Sequence, residues 1–321
     1  NCQWCYLPKE SAQPGIQLLK NIIDNCHHRY VVFSGGEPTL REDLCELIAY
    51  MRKEHPDKFS VLLTNGVKLA DESYVKRLKE FGLQYVILSF NGFRKETHQY
   101  ISGKDLAGYK LQALKNLKKF RLWTILSMTL AKGINEDEFI EVYRFGIRNI
   151  NFIRQIRLRN VSEIGVYKEG EHIYLSDMLK LVSKATSFSI VEMAHNNSTG
   201  NSVFKTGNYF VLDVFETLKH KHKSLLFGSL RYWIAVAKLT GVINAFRMRF
   251  EPSRPIETRL MFRIEIFAWP TPSNIDLEES RLFCIDHVTN DGQILPFWEA
   301  LYRNDRLRTR KKIPIEEALR V

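Results

Sequence analysis

Tyr30-Val31-Val32-Phe33-Ser34-Gly35-Gly36-Glu37-Pro38-Thr39-Leu40 sets a short apolar run directly against two glycines, an acid and a proline. The run reads as a β-strand, and the Gly-Gly-Glu-Pro stretch as the turn that leaves its C-terminal end. The same shape returns twice downstream, where Ser60 to Thr64 runs into Asn65-Gly66 and Tyr85 to Phe90 into Asn91-Gly92. Further β-rich runs lie at Leu122 to Leu130 and Asn151 to Leu158. Helical patterns separate them over Leu40 to Lys53, Glu72 to Phe81, Gly108 to Phe120 and Glu136 to Ile147. Strand then helix, repeated at intervals of roughly 25 to 35 residues, is the pattern of βα units on a parallel sheet. The strands are apolar almost throughout, as parallel strands covered on both faces are. Polar residues gather just after the strands, at the C-terminal ends where such folds hold their ligands.

Composition sets the outer limits. The chain has 321 residues, 45% hydrophobic and 26% charged, with only 10 Pro and 17 Gly. That excludes a disordered or low-complexity chain and leaves ample material for a core. Lys and Arg exceed Asp and Glu by 47 to 36, a net charge of +11 that favours an anionic partner. Five Cys are too few and too scattered for a disulfide scaffold, so a reducing, cytoplasmic setting is expected. No uncharged apolar run reaches the ~18 residues of a membrane-spanning helix. The sequence opens on Asn1-Cys2-Gln3-Trp4-Cys5 with no signal-peptide pattern, and it reads as a fragment whose natural start lies upstream.

Cys2 and Cys5 form a C-x2-C pair followed by Tyr6. Alone, such a pair serves zinc, thiol redox chemistry or an iron–sulfur cluster equally well. Zinc wants a second ligand pair, whereas Cys26, Cys45 and Cys284 stand apart. Cys26-His27-His28 reads as the plain end of a helix. Gly35-Gly36 and Asn65-Gly66 are each explained one at a time as turns. Separate turns do not account for four motifs in fixed order at successive strand ends.

That ordered set is the Cys pair, then Ser34-Gly35-Gly36-Glu37-Pro38, then Thr64-Asn65-Gly66, then Ser89-Phe90-Asn91-Gly92. Over roughly residues 1 to 160 it resembles the core of the radical S-adenosylmethionine (SAM) superfamily. The resemblance implies a C-x3-C-x2-C loop that holds a [4Fe–4S] cluster by three thiolates, with SAM on the fourth iron. Cys2 and Cys5 match the second and third cysteines; the first is expected upstream of Asn1, together with the first barrel strand. The resemblance further implies SAM contacts from Trp4 near adenine, from Gly35, Gly36, Glu37 and Pro38 around the methionine moiety, and from Thr64, Asn65 and Ser89 toward the carboxylate and ribose. Asn91 stands where relatives often carry Asp. Glycine at 35 and 36 lets the backbone approach a ligand where a Cβ would collide. Ser127 and Thr129 on the next strand, and Arg157 and Arg159 on the one after, are candidates for SAM or substrate contact or for plain packing.

The second half is less legible. His195 to Gly207 is polar and reads as a linker, followed by a helical segment with the basic run Lys219-His220-Lys221-His222-Lys223. Leu260 to Trp269 and Phe283 to Phe297 read as strands, the latter folded at Asn290-Asp291-Gly292. Cys284-Ile285-Asp286-His287 loosely resembles C-terminal segments of uncharacterised and tetraether-lipid-synthase-like members of the superfamily, with Cys284 read as a structural thiol. Ser224 to Phe246 carries Arg231 and Lys238 on one helical face, as a core helix with two solvated charges, a basic amphipathic helix on an anionic membrane surface or a phosphate- or RNA-binding helix would.

The resulting expectation is an α/β chain. Residues 1–194 form a partial (β/α)6 TIM-like barrel without its first strand, and residues 195–321 a smaller, basic α+β extension that covers the open mouth. The resemblance implies reductive cleavage of SAM, with an electron from ferredoxin or flavodoxin, to a 5′-deoxyadenosyl radical that abstracts a substrate hydrogen. The substrate order is lipid-like, then peptide or small metabolite, then RNA, so nucleic acid ranks last. A non-catalytic SAM- or zinc-binding module is the contrasting reading, and a cytoplasmic protein peripheral to a membrane the expected location.

Overall fold

The computed structural model describes residues 13–161, 172–193, 209–222, 230–250, 261–269, 286–288 and 292–296. Its centre is a seven-stranded sheet in the order β1-β2-β3-β4-β5-β7-β6. The strands are β1 (Tyr30–Phe33), β2 (Phe59–Thr64), β3 (Tyr85–Ser89), β4 (Trp123–Leu130), β5 (Ile153–Asn160), β6 (Tyr209–Asp213) and β7 (Arg263–Phe267). β1 to β5 and β7 run parallel, and β6 closes the order antiparallel to β7. Helices α1 (Ile16–Asn25), α2 (Leu44–Glu54), α3 (Glu72–Phe81), α4 (Lys95–Ser102), α5 (Ala107–Lys119) and α6 (Phe139–Arg148) alternate with the first five strands, as βα units require. α7 (Leu175–Thr186), α8 (Val214–Lys221), α9 (Leu230–Thr240) and α10 (Val242–Phe250) follow.

Each unit starts and stops on local signals. Asp71 caps α3, its carboxylate accepting the Ser73 amide at 2.8 Å, and Gly82 ends the helix at φ +108°. Strand alternation then sorts the side chains onto two faces. Leu62, Val86, Leu88, Leu126, Met128, Ile156, Leu158, Ile264 and Ile266 are fully buried in one cluster with Ile48, Val75, Leu78, Leu114, Leu117, Phe139 and Val142 of the helices. On the opposite face a polar row crosses four strands in register: Ser89 opposite Ser127, Ser127 opposite Arg157, and Arg157 opposite Glu265.

Two readings of the second half need correction. The segment after Gly207 begins with β6, and the helix α8 starts only at Val214, where the Asp213 side chain caps it. Ser224 to Phe246 is not one segment, because Gly241 at φ +88° separates α9 from α10. The strand expected at Leu260 to Trp269 exists as β7, and it completes the main sheet beside β5. The reason is its composition, with Phe262, Ile264 and Ile266 buried on one side and Glu265 and Phe267 on the other. The hairpin reading holds in β8 (Asp286–Val288) paired antiparallel with β9 (Ile294–Pro296). Trp4, the linker at His195 to Gly207 and Cys284 lie outside the described residues. No described helix is long and apolar enough to cross a membrane.

Candidate functional site at the strand ends

The motifs read from the sequence converge at the C-terminal ends of β1, β2 and β3. Directly after β1, Ser34, Gly35 and Gly36 are exposed, whereas Pro38 and Thr39 are buried in a short 3-10 turn. Gly35 has φ +125°, a backbone conformation that favours glycine. Gly36 has no such need. A methyl group on either residue would touch no atom of the described residues within 4 Å, so among these residues the space over this loop is open.

Glu37 turns its carboxylate back into the protein. It accepts the Thr39 amide at 3.2 Å and hydroxyl at 2.6 Å, the Thr64 hydroxyl at 2.6 Å and the Asn65 amide at 2.8 Å. Thr64, almost fully buried, also accepts the Gly66 amide at 3.0 Å. Asn65 closes the turn by accepting the Val67 amide at 2.8 Å. The loops after β1 and β2 are therefore one hydrogen-bonded unit, and the Glu37 and Thr64 side chains are spent holding it. Gly66 sits at φ +82°, which favours glycine, and a Cβ there would also drive into Leu88.

The end of β3 is fixed in the same manner. Asn91 is buried, and its side-chain oxygen accepts the Thr129 amide at 3.0 Å, joining β3 to β4. Asn135, on the connection after β4, donates to the Asn91 carbonyl at 2.8 Å and the Thr129 carbonyl at 2.9 Å, and accepts the Ala131 amide at 2.9 Å. Glu138 accepts the amides of Phe93 at 2.6 Å and Arg94 at 2.9 Å, together with the Thr97 hydroxyl. Gly92, at φ +145°, leaves room for that carboxylate. Lys110 is buried under the strand end, with its ammonium donating to the Ser89 carbonyl. Burial, and then the nearby Lys110 charge, lower the pKa of His98, which bonds the Gly92 carbonyl. The neutral imidazole is the form that suits this position.

Of the residues named from the sequence, Gly35 to Pro38, Thr64, Asn65, Ser89 and Asn91 come together; Trp4, Cys2 and Cys5 lie outside the described residues. Ser127 is buried in the polar row, and its hydroxyl has no hydrogen-bond partner among the described residues. Arg157 is paired with Glu265, which also accepts Gln155 at 2.6 Å and the Tyr209 hydroxyl. Sequence reasoning missed Lys110, Asn135, Glu138, Tyr209 and Glu265. Lys110 left one signal: it occupies the apolar stripe that continues through Ala113, Leu114 and Leu117.

Residues 1–146 match the radical SAM superfamily. The chain is 31% identical over 206 residues to 7,8-dihydro-6-hydroxymethylpterin dimethyltransferase of Methanocaldococcus jannaschii, covering 60% of this chain and 40% of that one. It is 27% identical over 182 residues to GTP 3',8-cyclase of Aquifex aeolicus, covering 56% of each. The anSMEcpe structure with bound AdoMet and Kp18Cys peptide overlays at a TM-score of 0.48 and 22% identity, over 61% of this chain and 58% of that one. The chain thus spans about half the length of the curated relatives it matches.

Proposed function

With residues 1–146 a radical SAM superfamily domain, we propose that this chain is the catalytic body of a radical SAM enzyme that holds SAM across the ends of β1, β2 and β3. One observation carries the reading: the Gly35-Gly36 backbone faces open space among the described residues, and none of them demands glycine at 36. A ligand that presses against the backbone there supplies the missing reason. Members of the family bind a [4Fe–4S] cluster and SAM. Cys2 and Cys5 would hold the cluster as thiolates, and Trp4 would pack near adenine. When bound, cluster and SAM supply a one-electron cleavage of SAM whose carbon radical takes a hydrogen atom from the substrate.

The chain's own residues hold and orient. In this reading the Gly35 to Pro38 backbone meets the methionyl group, while Asn65 and Ser89 face the carboxylate and ribose. Glu37, Thr64 and Asn91 are positioning residues, because their side chains bind other parts of the loops. The electron comes from a small donor of the ferredoxin or flavodoxin kind.

The polar row favours a substrate that presents a polar group to β4, β5 and β7. The unpartnered Ser127 hydroxyl and the Arg157–Glu265 pair lie side by side there. A lipid meets that demand with its headgroup and a small metabolite directly; the pterin and GTP in the names of the relatives are polar in the same sense. The test uses the full-length protein, anaerobically loaded with iron and sulfide and reduced. Formation of methionine and 5′-deoxyadenosine from SAM, lost in Cys2→Ala and Cys5→Ala, is the expected result. Undiminished cleavage in either variant would overturn the ligand roles.

A further inference from the structure

α9 and α10 turn an apolar face outward. α9 buries Tyr232, Trp233 and Val236, and leaves Leu230 and Ile234 exposed beside Arg231 and Lys238. α10 buries Ala245 and Met248, and leaves Val242, Ile243, Phe246 and Phe250 exposed beside Arg247 and Arg249. The six large apolar side chains are between 46 and 76% exposed. Scattered exposed hydrophobes need no explanation, but six on two consecutive helices form a surface with a purpose.

The charge around them has one sign. From Thr217 to Phe250 the sequence holds seven Lys or Arg and no Asp or Glu. α10 is anchored from below, Asn244 donating to the Arg148 carbonyl at 2.8 Å, so its outer face is held in place. Arg249 lies over the rings of Trp233 at 5.2 Å and Phe250 at 5.4 Å, so that cation and aromatic surface are offered together. Helices of 11 and 9 residues are too short to cross a bilayer of about 30 Å, and they suit its surface instead.

We propose that α9 and α10 seat the protein on the surface of an anionic lipid bilayer. Ile243, Phe246 and Phe250 enter the boundary between headgroups and acyl chains, and Arg231, Lys238, Arg247 and Arg249 meet the lipid phosphates. Charge complementarity selects this occupant. A second copy of the chain would bring the basic residues of these two helices against themselves with no acid of either helix to pair, which repulsion disfavours. The inference stands apart from the SAM site, which none of these residues enters.

The test is flotation of the full-length protein with vesicles of phosphatidylcholine alone and of phosphatidylcholine mixed with phosphatidylglycerol. Binding to the mixed vesicles should be stronger by about tenfold or more and should weaken as salt is raised. Ile243→Asp with Phe246→Asp should remove it, while cooperative melting and SAM binding stay unchanged because both side chains are exposed. Lys238→Gln with Arg247→Gln should remove only the preference for the anionic lipid. Equal, weak flotation of the wild-type protein with both vesicle types would overturn the proposal. So would a concentration-dependent dimer, seen by light scattering and abolished by Phe246→Asp, because a second copy would then cover the face. Retention on polyglutamate without vesicle binding would assign the surface to an acidic protein instead.

Discussion

The Glu37 carboxylate accepts the Thr64 hydroxyl at 2.6 Å, and through it the loop after β1 is fastened to the end of β2. Four hydrogen bonds converge on this one side chain, two of them from backbone amides. The acid that the motif places beside the glycines therefore works behind the open surface. It keeps two loops in fixed relation while the glycine backbone faces outward.

Replacement of Glu37 should reveal that division of labour. Glu37→Ala strands the Thr64 hydroxyl and the Asn65 amide, at a cost of about 2 to 4 kcal/mol for hydrogen bonds to a charged group. Glu37→Gln retains an acceptor and should lose less. Denaturant unfolding of the two variants checks this; a change below about 0.5 kcal/mol in Glu37→Ala would contradict the network.

A second expectation concerns the polar row. Glu265 is largely buried with Arg157, Gln155 and Tyr209 around its carboxylate. Glu265→Ala leaves the Arg157 guanidinium without that partner and should cost about 3 to 5 kcal/mol. Arg157→Met in the same protein should recover part of the loss, with a coupling of about 1 to 3 kcal/mol in a double-mutant cycle. Strictly additive effects would show that the two strands do not depend on the pair.

Asp213 carries a pH signature. Burial raises its carboxyl to about 6, while it caps α8 by accepting the Phe215 and Glu216 amides at 3.2 Å each. An unfolded Asp titrates near 3.9, so the folded chain holds this proton more tightly. The group's contribution to stability therefore falls as pH rises from about 4 to about 6, and it is constant on either side. Asp213→Asn keeps the capping oxygen and removes the titration. Its stability relative to the parent should climb by about 1 to 3 kcal/mol across that window. Parallel pH profiles for the two proteins would refute the assignment.

The parallel sheet was legible because its signals are local. β1 to β5 lie within two residues of the runs that predict them, and β1, β2 and β3 each end just before a Gly or Asn turn. The loops that join them were legible as motifs but not as a network. Glu37 is 27 residues from Thr64, and Asn91 is 44 from Asn135; only the folded sheet brings such pairs together. β6 was hidden because five residues leading directly into a capped helix carry too little pattern to stand apart from it. The break at Gly241 was hidden because the apolar pattern runs through it, and only the positive φ marks the boundary. Glu265 reads as a single charge in an apolar run, and its partners arrive from β5, 108 and 110 residues earlier in the chain, and from β6, 56 residues earlier.

The central claim is that SAM occupies the space over Gly36, and one substitution decides it. Val at this position meets no atom of the described residues in the space its Cβ would enter, so the fold and its melting temperature should hold. The measurement is the dissociation constant of SAM for Gly36→Val, made on full-length, cluster-loaded protein alongside its thermal melt. Affinity should be lower by at least about tenfold, or about 1.4 kcal/mol, with cluster content and melting nearly unchanged. Unaltered SAM affinity in a folded, cluster-loaded Gly36→Val protein would contradict it.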